Sequence, residues 1–125
     1  MIYDGACHCK EVALTVEAPE HIECYECNCS ICTLTGYLHL IVPKQQFNLV
    51  RGQDTLTTYS FNTHVAQHYF CSTCGIKPFY VPRSNPDGVS INVRCLFPQP
   101  ASLTVLEFDG VNWEDNAESV SHLST

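Results

Sequence analysis

Apolar and polar residues alternate with a period of two along most of this chain, in short runs cut by turn residues. Glu11 to Glu17 sets Val12, Leu14 and Val16 against polar neighbours, the pattern of a half-buried strand. Tyr37 to Val42 predicts a second strand, stopped by Pro43. Phe47 to Gly52 and Thr55 to Phe61 predict a pair of strands folded around Gly52-Gln53-Asp54. Gln67 to Cys71 and Lys77 to Pro82 follow, the latter limited by Pro78 and Pro82. Ser84 to Gly88 is a turn by composition. Val89 to Cys95 alternates Val89, Ile91 and Val93, and Leu103 to Phe108 is the last expected strand. Helical periodicity is weak, enough for one turn after Cys32 or near Lys44 to Phe47. The residues after Trp113 are polar and are expected to fray. There is no internal repeat and no linker, so the expectation is one all-β domain over residues 1–125.

With 45% hydrophobic and 15% charged residues the composition is that of a globular protein. The net charge of −7, without a basic run, argues against nucleic-acid binding, which depends on neutralising phosphates. No apolar run approaches the roughly 20 residues that span a bilayer. The segment Met1 to Gly5 has neither the basic nor the apolar region of a secretory signal. A cytoplasmic location is therefore expected. Cytosolic thiols stay reduced, which turns attention from disulfides to metal.

Nine cysteines are present, and seven fall into three clusters. Cys7 and Cys9 precede the first predicted strand. Cys27, Cys29 and Cys32 form a C-x-C-x-x-C run, and Cys71 and Cys74 form a C-x-x-C followed by Gly75. A redox pair would account for one C-x-x-C but not for three clusters. Zinc takes four ligands in a tetrahedron. Cys7, Cys9, Cys71 and Cys74 together would close a structural Cys₄ site. Cys27, Cys29 and Cys32 would leave a fourth position open, as catalytic zinc sites do, unless Cys24 completes that set and makes it structural too. Otherwise Cys24 and Cys95 read as buried small hydrophobes. His64 and His68 have i, i+4 spacing, but the strand-like run after them argues against a two-histidine metal site. His8 reads as a solvated residue beside the ligands, and His21, His39 and His122 carry no signal.

The motifs GACHC, CNCSIC, YFCSTCGIKPFY, INVRCL and FDGVNW, in that order, resemble the landmarks of the glutathione-dependent formaldehyde-activating enzyme family. YSFNTHVAQHYFCSTCGIKPFYVPRSNP resembles its centromere protein V branch in particular. The likeness runs from about Gly5 to Trp113. It implies an all-β, Mss4-like fold of small sheets clasped by zinc. It also implies two Zn²⁺ per chain, with Cys7, Cys9, Cys71 and Cys74 as structural ligands and Cys27, Cys29 and Cys32 as ligands of a catalytic-type zinc. The family's founding activity joins glutathione to formaldehyde, giving S-(hydroxymethyl)glutathione, formally a carbon–sulfur lyase reaction. Asn28 stands where many enzymes of the family carry His, which leaves the zinc ligands in place but not the grounds for glutathione specificity.

Two functional readings follow. In the first, a small-molecule thiol such as glutathione sits as thiolate on the zinc of Cys27, Cys29 and Cys32 and attacks a small carbonyl compound. Arg83 or Arg94 could then pair with a substrate carboxylate, although each reads first as a surface or structural arginine. In the second, the chain is a zinc-stapled module that binds a protein partner and catalyses nothing. Three ligands at the mouth of a pocket favour the enzyme, and four protein ligands favour the module.

Overall fold

Strand-forming residues dominate, and the computed structural model, which describes residues 1–125, gathers them into eleven strands. In chain order these begin with β1 (Ile2–Ala6), β2 (Ala13–Glu17), β3 (His21–Cys27), β4 (Leu38–Pro43), β5 (Phe47–Arg51) and β6 (Leu56–Tyr59). They continue with β7 (Gln67–Cys71), β8 (Phe79–Val81), β9 (Gly88–Asn92), β10 (Leu96–Phe97) and β11 (Ser102–Phe108). Two short helices, α1 (Ser30–Thr35) and α2 (Trp113–Asn116), and several 3-10 turns complete the chain. A four-stranded sheet runs β10-β1-β2-β5, and a seven-stranded sheet runs β11-β3-β4-β9-β8-β7-β6. The expected all-β class holds. No helix is long and apolar enough to cross a membrane.

The core includes the apolar sides of strands from both sheets. Leu14 and Val16 of β2 share that cluster with Ile22, Leu40, Ile91, Val93 and Leu96, among others. Cys24 is fully buried in the same core, and Cys95 is buried as well. The expected pairing of Phe47–Gly52 with Thr55–Phe61 does not form. Instead β5 pairs with β2 in one sheet, and β6 pairs with β7 in the other. The chain changes sheets at Gly52, whose φ of 97° suits glycine, and where a Cβ would fall 2.7 Å from Val12 Cα. Three strands carry no clear alternation and escape a sequence reading. β1 holds Asp4 and Gly5, β10 has two residues, and the inward positions of β3 are Ile22 and a cysteine.

Two further expectations need correction. The run Val89–Cys95 stops being strand at Asn92, where the side-chain oxygen accepts from the Arg94 N–H and a 3-10 turn takes over. The C-terminus does not fray. Residues Ala117–Ser124 form a 3-10 segment with Val120 and Ser124 buried. Fully buried Asn85 donates to Val120 O, Ser121 O and Ser124 Oγ at 3.0–3.2 Å, so the segment is held by buried amide hydrogen bonds.

Candidate metal centres

The first cluster joins two distant turns. Cys7 follows β1 directly, and Cys71 ends β7. Gly75, at φ 79°, donates its N–H to Cys71 O at 2.8 Å and curls the C-x-x-C loop. The Cys7, Cys9, Cys71 and Cys74 sulfurs all lie within 4.8 Å of one another, with Cys7–Cys9 and Cys9–Cys71 each at 3.6 Å. A tetrahedron of thiolates about 2.3 Å from zinc has edges of about 3.8 Å, so this donor set suits the metal. The Val12 and Cys74 N–H groups point at Cys7 Sγ and Cys71 Sγ, at 3.4 and 3.5 Å, as suits thiolate acceptors. Thr73 Oγ1 donates to Glu11 Oε2 at 2.7 Å and ties the two loops together.

The second cluster is local. Cys27 is the last residue of β3, Cys29 precedes α1, and Cys32 lies one turn inside it. Gly36, in the left-handed region, ends that helix by donating its N–H to Cys32 O. The three sulfurs again lie within 4.8 Å of one another. Donation from the Cys27 and Cys32 thiols holds Cys29 down to about 2, while contact with Cys29 raises Cys27 and contact with both neighbours raises Cys32. Cys24 is not in this group. Side chains alternate along a strand, so a residue three positions before Cys27 faces the other way, into the core.

A loop from the far end of the chain closes one side of this cluster. β11 lies parallel to β3 with Phe108 opposite Cys27, which brings Asp109 to Val111 against the thiols. Asn28 holds the loop there: its amide donates to Asp109 Oδ1 at 3.0 Å, and its oxygen accepts from the Val111 N–H at 3.0 Å. Gly110 packs so tightly that a Cβ would overlap Cys27 Sγ and lie 3.1 Å from Cys29 Cβ. On another side His39, buried on β4, places Nε2 3.2 Å from Cys32 Sγ. The Ser90 and Tyr80 hydroxyls sit 3.1 Å from its Nδ1, and burial keeps the Tyr80 phenol protonated. Both ring nitrogens are thus partnered, Nε2 with the Cys32 sulfur and Nδ1 with the two hydroxyls. Burial, with the Lys77 charge, pushes His39 down to about 3, so the ring is neutral.

The three thiols open on a cavity of about 350 Å³. Phe61, Trp113, Phe108 and Ile41 supply apolar wall, and Cys27, Cys29 and Cys32 lie in its lining. Arg83 also lines it, its guanidinium 3.8 Å over the Trp113 ring. None of the thirteen acidic residues does. Arg94 is turned elsewhere, donating to Gly36 O at 2.9 Å. His21 bridges β3 to Ser102 and Thr104 of β11, and exposed His64 sits beside Ser60. His68 is buried apart from it against Lys77 Nζ, 2.6 Å from its Nδ1, so the i, i+4 histidines make no common site. His39, His68, Lys77 and Gly110 escape a sequence reading. The one available hint is polar residues set inside apolar runs, His39 in YLHLIV and Lys77 in GIKPFYV.

A small all-β chain with one four-thiol cluster and one three-thiol cluster opening on a cavity defines a class of cysteine-clasped proteins suited to two metal ions, one with four thiol ligands and one with three. Within that class, the chain belongs to the glutathione-dependent formaldehyde-activating enzyme family, which it matches over residues 2–104. It is also similar to a Rhodobacter sphaeroides protein whose crystal structure was solved as a structural-genomics target. The two are 33% identical, with a TM-score of 0.72, over 81% of this chain and 99% of the other.

Proposed function

We propose that this protein is a zinc-dependent carbon–sulfur lyase that joins a small thiol, of which glutathione is one, to formaldehyde or another small carbonyl compound, and runs the reverse cleavage. The observation that carries this reading is the contrast between the two clusters. Four sulfurs enclose the first, whereas three open on an apolar-walled cavity. A zinc ion on Cys27, Cys29 and Cys32 would supply one further position at which a thiol is held deprotonated. The chain's own residues set the stage for that position. The His39 ring packs its Nε2 against Cys32 Sγ, Asn28 and Gly110 keep the Asp109–Val111 loop against the sulfurs, and Arg83 offers a cation to an anionic substrate. In the reaction the thiol sulfur bonds to the carbonyl carbon, the C=O π electrons pass to oxygen, and the proton given up by the thiol ends there.

Because the adduct also forms spontaneously, the test is exchange NMR on glutathione and formaldehyde with and without protein. Wild type should speed interconversion above the blank, and a Cys27→Ser/Cys29→Ser variant should fall back to it. Wild type matching the double variant would overturn the lyase reading in favour of a binding module. For that role the edge strand β11, with Leu103, Val105 and Leu106 partly exposed, offers one apolar surface.

A further inference from the structure

We propose that the cavity selects a thiol that carries a carboxylate, and that His68, held in place by Lys77, is the group that grips it. The proposal rests on the thiol-binding reading above and adds the second point of attachment.

Lys77 is 7% exposed, although lysine is seldom buried unless paired. No aspartate or glutamate acts on its charge; the ionisable groups that do are the sulfurs of Cys32, Cys29 and Cys27. Its ammonium lies 3.9 Å over the Tyr80 ring and 4.7 Å over Tyr37, and 2.6 Å from His68 Nδ1. Burial lowers it to about 8, so it is mainly cationic near neutral pH. An ammonium only donates, so Nδ1 of His68 accepts, and the ring proton resides on Nε2. Burial, followed by the Lys77 charge, holds the imidazole neutral.

His68 Nε2 is buried and has no partner in the chain. Its ring forms part of the cavity wall, stacked on Tyr80 at 4.8 Å between centroids and on Phe61 at 5.6 Å. Buried donors are ordinarily satisfied by protein, water or ligand, and the chain supplies no acceptor here, so we assign that acceptor to the ligand. Charge specifies its kind. A cation stands behind the imidazole and a second, Arg83, lines the same cavity, whereas no acidic side chain does, in a chain of net charge −7. An anionic oxygen is favoured over a neutral one in that field. With sulfur at the Cys27, Cys29 and Cys32 end, the ligand is a mercapto acid. His68 would touch it, and Lys77 is a positioning residue that acts by fixing the tautomer of His68.

The experiment uses zinc-loaded protein, a series of ω-mercaptoalkanoates of increasing chain length, and the corresponding amides. In wild type at least one acid should bind roughly tenfold tighter than its amide, the worth of a charge-assisted hydrogen bond. In His68→Leu and in Lys77→Met that preference should fall to about twofold or less, with the acid losing more affinity than the amide. Nitrogen-15 NMR of wild-type His68 should show the Nε2–H tautomer and a shift of that proton on adding the preferred acid. Equal binding of acids and amides at every length would overturn the proposal and leave the thiol reading standing. Binding of neither would overturn both. A preference that survives in both variants would move the carboxylate to Arg83, and an Nδ1–H tautomer in wild type would overturn the proposal even where the variants do not fold.

Discussion

His68 shows how burial converts a side chain into a pH-dependent element. Its pKa is pushed down to about 4 from an ordinary 6.5, because burial and then Lys77 disfavour the imidazolium. As pH falls through 6.5 the unfolded chain takes up a proton on this ring, and the folded chain does not until about 4. Stability that is complete above 6.5 is therefore lost progressively down to about 4. Between about pH 7 and pH 5, zinc-loaded wild type should lose on the order of 2 kcal/mol more than His68→Gln in urea unfolding. Equal losses would mean that the ring is not held neutral. Gly110 is a sharper constraint. A Cβ there meets Cys27 Sγ, so Gly110→Ala should empty the second cluster and leave the first, taking metal analysis from two ions per chain towards one with circular dichroism unchanged.

The two clusters differ in what they connect. Cys9 and Cys71 are 62 positions apart, and their site clasps the β1–β2 turn to the end of β7. Metal bound there adds to folding free energy, because the unfolded chain has no such site. Cys71→Ser should lower Tm by roughly 10 °C or more, and Cys29→Ser by clearly less, since its partners lie within a few residues on β3 and α1. Equal drops in a thermal melt would contradict the division of roles. The C-terminal segment depends on Asn85, whose amide serves Val120, Ser121 and Ser124 from a fully buried position. Asn85→Ala strands those acceptors and should cost about 1–3 kcal/mol in chemical denaturation.

Over the molecule as a whole, the seven clustered cysteines divide between a closed site that clasps distant turns and an open one beside a cavity. Protein purified without chelator should carry close to two zinc ions per chain. A graded chelator titration should remove one ion first, with the fold retained, because three thiolates beside a cavity hold metal less completely than four. Loss of the second should coincide with unfolding, read by circular dichroism alongside metal content. Both ions leaving together with the fold would contradict this order.

Spacing along the chain grouped seven cysteines into three local clusters, since C-x-C and C-x-x-C report local geometry that a turn or a helix start imposes wherever it sits, but it was the fold that brought Cys7 and Cys9 to Cys71 and Cys74. The same holds for the strands with clean alternation, such as β2 and β9, and for the turn of helix at α1. Pairing was not legible in the same way. Phe47–Gly52 and Thr55–Phe61 are neighbours in sequence, yet β5 and β6 end in different sheets, because Gly52 redirects the chain between them. Cys24 was ambiguous until strand parity turned it inward. The surroundings of the three thiols were least legible. Asn28 meets Asp109 across 81 positions, and His39, Tyr80, His68 and Lys77 come from three strands and a loop. Strand register and the crossing between sheets set those meetings, and both follow from how the whole apolar core packs rather than from any local run of residues.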